Sequence, residues 1–282
     1  MVLAALCLCF LQKSLQPIAK VATPMIDELS GIAKSRQYKN TYWVHNDSGD
    51  SARIFAIHLD GTLIQPNQPS YEGIKLEGAT NFDWEDIAIE GKTLYVSDCG
   101  DNLNFRKDQC VYVLPEPDPT KVTSVANVKK IRIAYPDKTP TSEWRYDCES
   151  LMVSKGRLYF ITKWRKNQKK KSPDTGASIY SLEKPSYSGV NTLKKLDTKT
   201  DLGGWVTAAD ISPDSKRLAL LTQAPEQSVW LFDMTKGGDI FHHPIKQIKF
   251  TNAKQCEALC WDSPTSLIIA NEQSELFRVD LQ

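Results

Sequence analysis

Five segments of this chain repeat one pattern, and that repetition limits the possible folds more than any other feature. In each segment a polar or acidic residue leads into a short apolar strand, a turn follows, and a second apolar strand ends on polar residues. The segments are Leu29–Ala33 with Thr41–Asp47, Trp84–Ile89 with Thr93–Asp98, Cys148–Val153 with Arg157–Thr162, Ala208–Ser212 with Arg217–Thr222, and Cys256–Trp261 with Ser266–Asn271. The pattern predicts a third strand after each, at Arg53–Leu59, Val111–Leu114, Ile179–Leu182, Val229–Phe232 and Leu276–Val279. A fourth is expected at Lys129–Ile133, Leu193–Leu196 and Ile245–Phe250. These runs are short, alternating or aliphatic, and bounded by Gly, Pro, Asp and Asn.

Four strands in a repeat of roughly fifty to sixty residues predict an all-β fold, a β-propeller of five four-stranded blades. Irregular stretches at 66–80 and 134–146 leave a count of six open. The fifth repeat reaches Gln282 after three strands. Pro17–Ala22, ahead of the first repeat, is placed to supply the outer strand of the last blade, which would remove the last open sheet edge. The propeller is therefore expected to span 16–282 as a single domain, and as a monomer.

Residues 1–15 read differently. Val2–Leu11 is an unbroken apolar run of ten. It is too short for the ~20 residues of a spanning helix but fits the h-region of a secretory signal, although no positive n-region precedes it. A short buried strand or helix is the alternative. Export to the periplasm, the cell envelope or the medium is the expectation, with no transmembrane segment in the mature chain. Lys+Arg number 35 and Asp+Glu 34, a net charge of +1, so no global basic field for nucleic acid exists.

In a propeller the innermost strand starts at one face and the second strand returns to it. Residues at the start of strand one and the end of strand two therefore share a rim. The first column reads Glu85, Glu149 and Glu257, with Ser30 and Ala209 in the other two repeats and Glu28 and Asp210 close by. The second reads His45-Asn46-Asp47, Asp98, Asp101-Asn102, Lys163, Gln223 and Asn271-Glu272. Converging carboxylates raise one another's pKa or recruit a cation, and hard oxygen ligands suit calcium or magnesium rather than zinc. Equally, a Glu at each strand start could cap backbone N–H groups and tie neighbouring blades together. The run Lys163–Lys171 falls on the same rim. It suits an anion clamp with Trp164 to stack, or a solvated loop.

Seven cysteines fall to five beyond residue 15, and an odd number leaves at least one free thiol. Cys99 and Cys110 bracket one loop and form the expected disulfide in an exported protein. No zinc-ligand spacing is present.

Several of these motifs carry a resemblance. Glu28–Ala33, His45–Gly49, Asp83–Ala88 and Gly100-Asp101-Asn102 resemble a family of exported, mostly bacterial β-propellers, as do Tyr112–Pro117, Glu149–Leu151, Val206–Asp214 and Glu257–Leu259. That family is more distantly similar to esterase-like phytase and SdiA-regulated propellers. The resemblance implies the fold and an exported location, but no catalytic residue. Cys99 within Asp98–Asn102 and the Lys-rich insert depart from the family pattern.

Two functions follow. In the first, Glu85, Glu149, Glu257 and Asp98 hold Ca²⁺, His45, Asp47 and Asp101 act as acid or base, and Asn46, Asn102, Lys163, Arg165 and Lys166 bind a small anionic ligand. The reaction would be metal-dependent hydrolysis of a phosphorylated or ester substrate. In the second, the chain is a non-catalytic ligand- or protein-binding propeller of the cell envelope with structural carboxylates.

Overall fold

The computed structural model describes residues 13–139, 143–165 and 174–282. The apolar run Val2–Leu11, together with Lys166 and Lys169–Lys171 of the basic run, lies outside the described residues. Within them the chain forms a β-propeller of five four-stranded blades. Blade 1 comprises Leu29–Lys34, Tyr42–Asn46, Arg53–Ile57 and Ile74–Leu76, from the channel outward. Blade 2 comprises Trp84–Glu90, Thr93–Asp98, Cys110–Pro115 and Lys129–Ala134, and blade 3 Asp147–Ser154, Arg157–Lys163, Ala177–Leu182 and Lys194–Lys199. Blade 4 comprises Gly204–Ile211, Arg217–Pro225, Ser228–Asp233 and Pro244–Thr251. Blade 5 takes Cys256–Ser263, Ser266–Asn271 and Glu275–Asp280 from the end of the chain and Ala19–Lys20 from its start.

Residues 66–80, irregular in sequence, supply the outer strand of blade 1 rather than a sixth blade. The ring closes as its sequence predicts: Ala19 and Lys20 pair antiparallel with Leu276 and Glu275. Outer edges are covered as well. Short parallel strands lie on blade 1 (Ser124–Val125), blade 2 (Val190–Thr192) and blade 4 (Lys13–Ser14). Such pairing masks backbone groups that would otherwise template association. The tight hairpins follow turn chemistry, as at Lys155-Gly156, where both residues adopt positive φ (54° and 70°) between the paired Ser154 and Arg157.

The apolar core occupies the gaps between blades. Trp43 and Phe55 of blade 1 meet Trp84 and Tyr112 of blade 2, and four such clusters run around the ring. Cys110 belongs to the gap between blades 1 and 2, and Cys99 to the gap between blades 2 and 3. This corrects the expected disulfide. Cys110 is in register with Asp98, so Cys99, one residue on, points to the opposite face of the blade. Its thiol donates to the Cys110 carbonyl at 3.1 Å, and all five described cysteines are free and buried.

Each innermost strand carries a β-bulge near its start. The register shifts fall at Leu29/Gly31, Trp84/Asp86, Cys148/Ser150, Val206/Ala208 and Cys256/Ala258. The inserted residues are Ser30, Glu85, Glu149, Thr207 and Glu257. In blade 4 the position belongs to Thr207, not to Ala209 as the sequence alignment placed it.

Neighbouring blades are tied by side chains beside these bulges. The Ser30 hydroxyl donates to the Glu85 carbonyl (3.1 Å) and the Thr207 hydroxyl to that of Cys256 (2.8 Å). Asp86 accepts the Leu151 N–H, and Asp210 that of Trp261, both at 2.9 Å. Hydroxyls and aspartates therefore make the ties, and among the described residues no backbone N–H donates to Glu85, Glu149 or Glu257. Asp86→Ala strands the N–H groups of Leu151 and Ile87. We expect it to cost about 3 kcal/mol in urea unfolding. An unchanged midpoint would show that this tie does not support the ring.

Candidate metal and ligand site at the channel mouth

A bulge bends its strand and re-aims a side chain. Here the bulges of blades 1, 2, 3 and 5 turn Ser30, Glu85, Glu149 and Glu257 into one cavity of ≈ 200 Å³ at the channel mouth. The returning second strands add Asp47, Lys163, Gln223 and Glu272, and the loop or strand extensions add Asn102 and Arg165. Blade 4 contributes a neutral wall, with Trp205 held by its indole N–H on the Asp174 carbonyl (3.0 Å).

Glu85 sits at the centre of the acidic groups. It offers an oxygen within 4.8 Å of oxygens from Asp47 and Asp83, and likewise from Asp147 and Glu149. Gly100 closes this cradle. Any Cβ there would collide with the carboxylates of Glu85 and Asp83, so only glycine lets the backbone approach so closely. Facing the acids are two cations. Lys163 Nζ lies 2.5 Å from Glu149 Oε1 and 3.8 Å from Asp147 Oδ2, and Arg165 Nε bonds Asp147.

The charges do not balance. Lys163 and Arg165 face seven carboxyl groups: Asp47, Asp83, Glu85, Asp147, Glu149, Glu257 and Glu272. Burial would raise Asp147, but Lys163 and Arg165 outweigh it and hold its pKa below the usual carboxylate range. Burial would likewise lower Lys163, and Glu149 and Asp147 reverse that effect and keep it charged. The remaining acids shift upward. Burial, then Glu149 and Asp47, push Glu85 well up. Burial raises Asp83 to about 7, helped by Asp147 and Asp47, and carries Glu257 to about 7 against the pull of Lys163. Burial also raises Glu149 and Asp47. Each such acid takes up a proton more readily than a free carboxyl, or shares a bound cation. The donors are all oxygens, with no His or Cys in either triad, which fits a hard divalent ion.

The structure brings together Asp47, Glu85, Glu149, Glu257, Asn102 and Lys163 from the two columns, with Arg165 from the basic run. It separates the others. His45 is fully buried behind the rim, its Nδ1 2.8 Å from the Asn46 carbonyl, and burial drives its pKa down to about 4. Asn46 is also internal, donating to the Met25 carbonyl and to Asp50 at 2.8 Å. Asp98 forms a buried ion pair with Arg106 at 2.9 Å and belongs to neither acidic triad. Asp101 is buried too; it accepts the Phe105 and Arg106 N–H groups and pairs with Lys138. Trp164 is not open for stacking, because it is buried with the Arg145 guanidinium 3.9 Å from its ring centroid.

The columns missed Asp83, Asp147, Gln255 and Trp205. A signal for them exists two residues before each bulge, where Asp83-Trp84-Glu85, Asp147-Cys148-Glu149, Gln255-Cys256-Glu257 and Trp205-Val206-Thr207 align. Residues at that spacing return to the same end of the strand.

The upward shifts set a pH dependence. A carboxyl whose pKa rises on folding binds more protons folded than unfolded, so it contributes stability at low pH that is lost as pH climbs to its folded value. His45, with its lowered pKa, acts oppositely, but only below about 6.5, its unfolded value. Between pH 6.5 and 8 the acidic mouth dominates. Without divalent ions, the urea midpoint should fall over that window, and Glu85→Gln should flatten the fall. A midpoint that rises from pH 6.5 to 8 would contradict this charge distribution.

No family model and no curated protein matches the chain. Among solved structures it is similar to the computationally designed Ika8 protein, with 9% identity and a TM-score of 0.41, over 94% of this chain and 99% of that one. It is also similar to a structural genomics protein of unknown function from Bacteroides thetaiotaomicron, with 10% identity and a TM-score of 0.45, over 95% of this chain and 72% of that one.

Proposed function

We propose that the chain is an exported propeller that binds Ca²⁺ at the channel mouth and, through it, holds the anionic group of a phosphorylated or ester-bearing small molecule. The observation that carries this reading is Glu85, shared by two carboxylate triads and facing Lys163 and Arg165 across one small cavity. A divalent ion replaces the protons that the surplus carboxyls otherwise take up. An anionic oxygen of the ligand would then bridge the ion and the Arg165 guanidinium, whose fork suits phosphate and carboxylate. Export rests on the Val2–Leu11 run and on the family resemblance.

Hydrolysis is the finer step. Asp47, half-buried and raised in pKa by that burial, would take a proton from water. Hydrolysis of 4-nitrophenyl phosphate or acetate that requires Ca²⁺ would establish it. Binding of phosphate without turnover would leave a binding propeller.

Calcium linkage tests the site itself. An ion bound only by the folded state, at a hundredfold excess over its Kd, stabilises by about 2.7 kcal/mol. For a chain of this size, that predicts a rise in Tm of about 5 °C between EDTA and millimolar Ca²⁺. The rise should shrink below pH 6, as protons compete, and vanish in Glu85→Gln. A flat Tm in the wild type at pH 8 would remove the metal site.

A further inference from the structure

Beside the mouth, large apolar side chains stand in solvent on the loop from Asn102 to Gln109 and at the neighbouring Phe82. Leu103 is 63% exposed, Phe105 60%, and Phe82, whose ring lies 4.5 Å from the Arg106 guanidinium carbon, 55%. These side chains are held there by a rigid scaffold. Asp101 accepts the N–H of Phe105 (2.8 Å) and of Arg106 (3.0 Å), and Arg106 is anchored on Asp98 (2.9 Å) and the Gly100 carbonyl (3.0 Å). Two buried aspartates thus fix a loop that holds Leu103 and Phe105 outward beside the exposed Asn102, Lys107 and Asp108. The same loop is a wall between two cavities. Asn102 lines the acidic mouth, while Phe105 lines a cleft of ≈ 470 Å³ with Ile133, Ala134 and Tyr135. That volume lies within the range of small-molecule sites.

We infer that the ligand is an amphiphile, with its anionic head at the mouth and an alkyl or acyl tail crossing Leu103 and Phe105 into this cleft. The inference rests on the proposed function for the head group. One loop borders both cavities, through Asn102 and Phe105, and with the cations at the mouth this favours one molecule with an anionic and an apolar end. Burying a tail adds affinity in proportion to the apolar area removed from water.

The probes are ethyl phosphate and octyl phosphate, titrated calorimetrically in Ca²⁺ below the micelle concentration. Octyl phosphate should bind at least about tenfold tighter, and the double substitution Leu103→Ser/Phe105→Ser should erase that margin while leaving ethyl phosphate unchanged. Both positions are exposed, and neither side chain makes any of the hydrogen bonds that fix the loop. Equal Ca²⁺-dependent affinity for the two probes would overturn the tail site and leave the head-group reading standing. Binding of neither probe would overturn both. A dimer that the double variant abolishes, with no preference for the longer tail, would assign the patch to a second copy of the chain and also overturn the inference.

Discussion

A strand that runs along a channel wall presents its side chains sideways, into the gaps between blades. To turn one toward the channel mouth, the strand must break its regular pleat, and the five innermost strands all do so at the same level. The bulges at Ser30, Glu85, Glu149, Thr207 and Glu257 determine what faces the mouth. Repetition then does the rest: one local irregularity, copied around a ring, becomes a convergent site. The ring must hold its shape for this to work, and it does so partly because Ala19–Lys20 completes the last blade.

The acids near the mouth divide into two kinds. Asp86, Asp98, Asp101 and Asp210 spend their oxygens on backbone N–H groups or on Arg106 and Lys138, and they hold blades and loops in place. Glu85, Glu149 and Glu257 accept no such backbone hydrogen bonds among the described residues. Asp47, Asp83 and Asp147 join Glu85 and Glu149 in the two triads at the mouth. What separates architecture from chemistry here is the partner each carboxyl has, not its side-chain length. Lys163 and Arg165 then satisfy part of the acidic charge, chiefly on Asp147, and leave the Glu85 side of the cavity in excess.

The architecture was legible because apolar alternation and turn residues recur with the blade period, and the missing outer strand could be found at the other end of the chain. The three glutamates were legible for the same reason. Blade 4 was misaligned by two residues, since Ala208-Ala209-Asp210 resembles the other repeats in composition while the bulge sits at Thr207. His45, Asp98 and Asp101 share the rim by sequence position but not by direction. Their orientation depends on burial and on partners such as Arg106 that no repeat pattern announces. The Cys99–Cys110 pairing failed on strand alternation, a parity that loop length alone does not reveal.

The central claim is that one hard cation belongs between Glu85 and its flanking carboxylates. Anomalous diffraction from crystals grown with Mn²⁺ or Ca²⁺ tests it most directly. The account predicts one strong peak within about 2.0–2.6 Å of a Glu85 oxygen, shared with the Asp47–Asp83 or the Asp147–Glu149 side. A mouth without any such peak, at millimolar ion and pH 8, would contradict it.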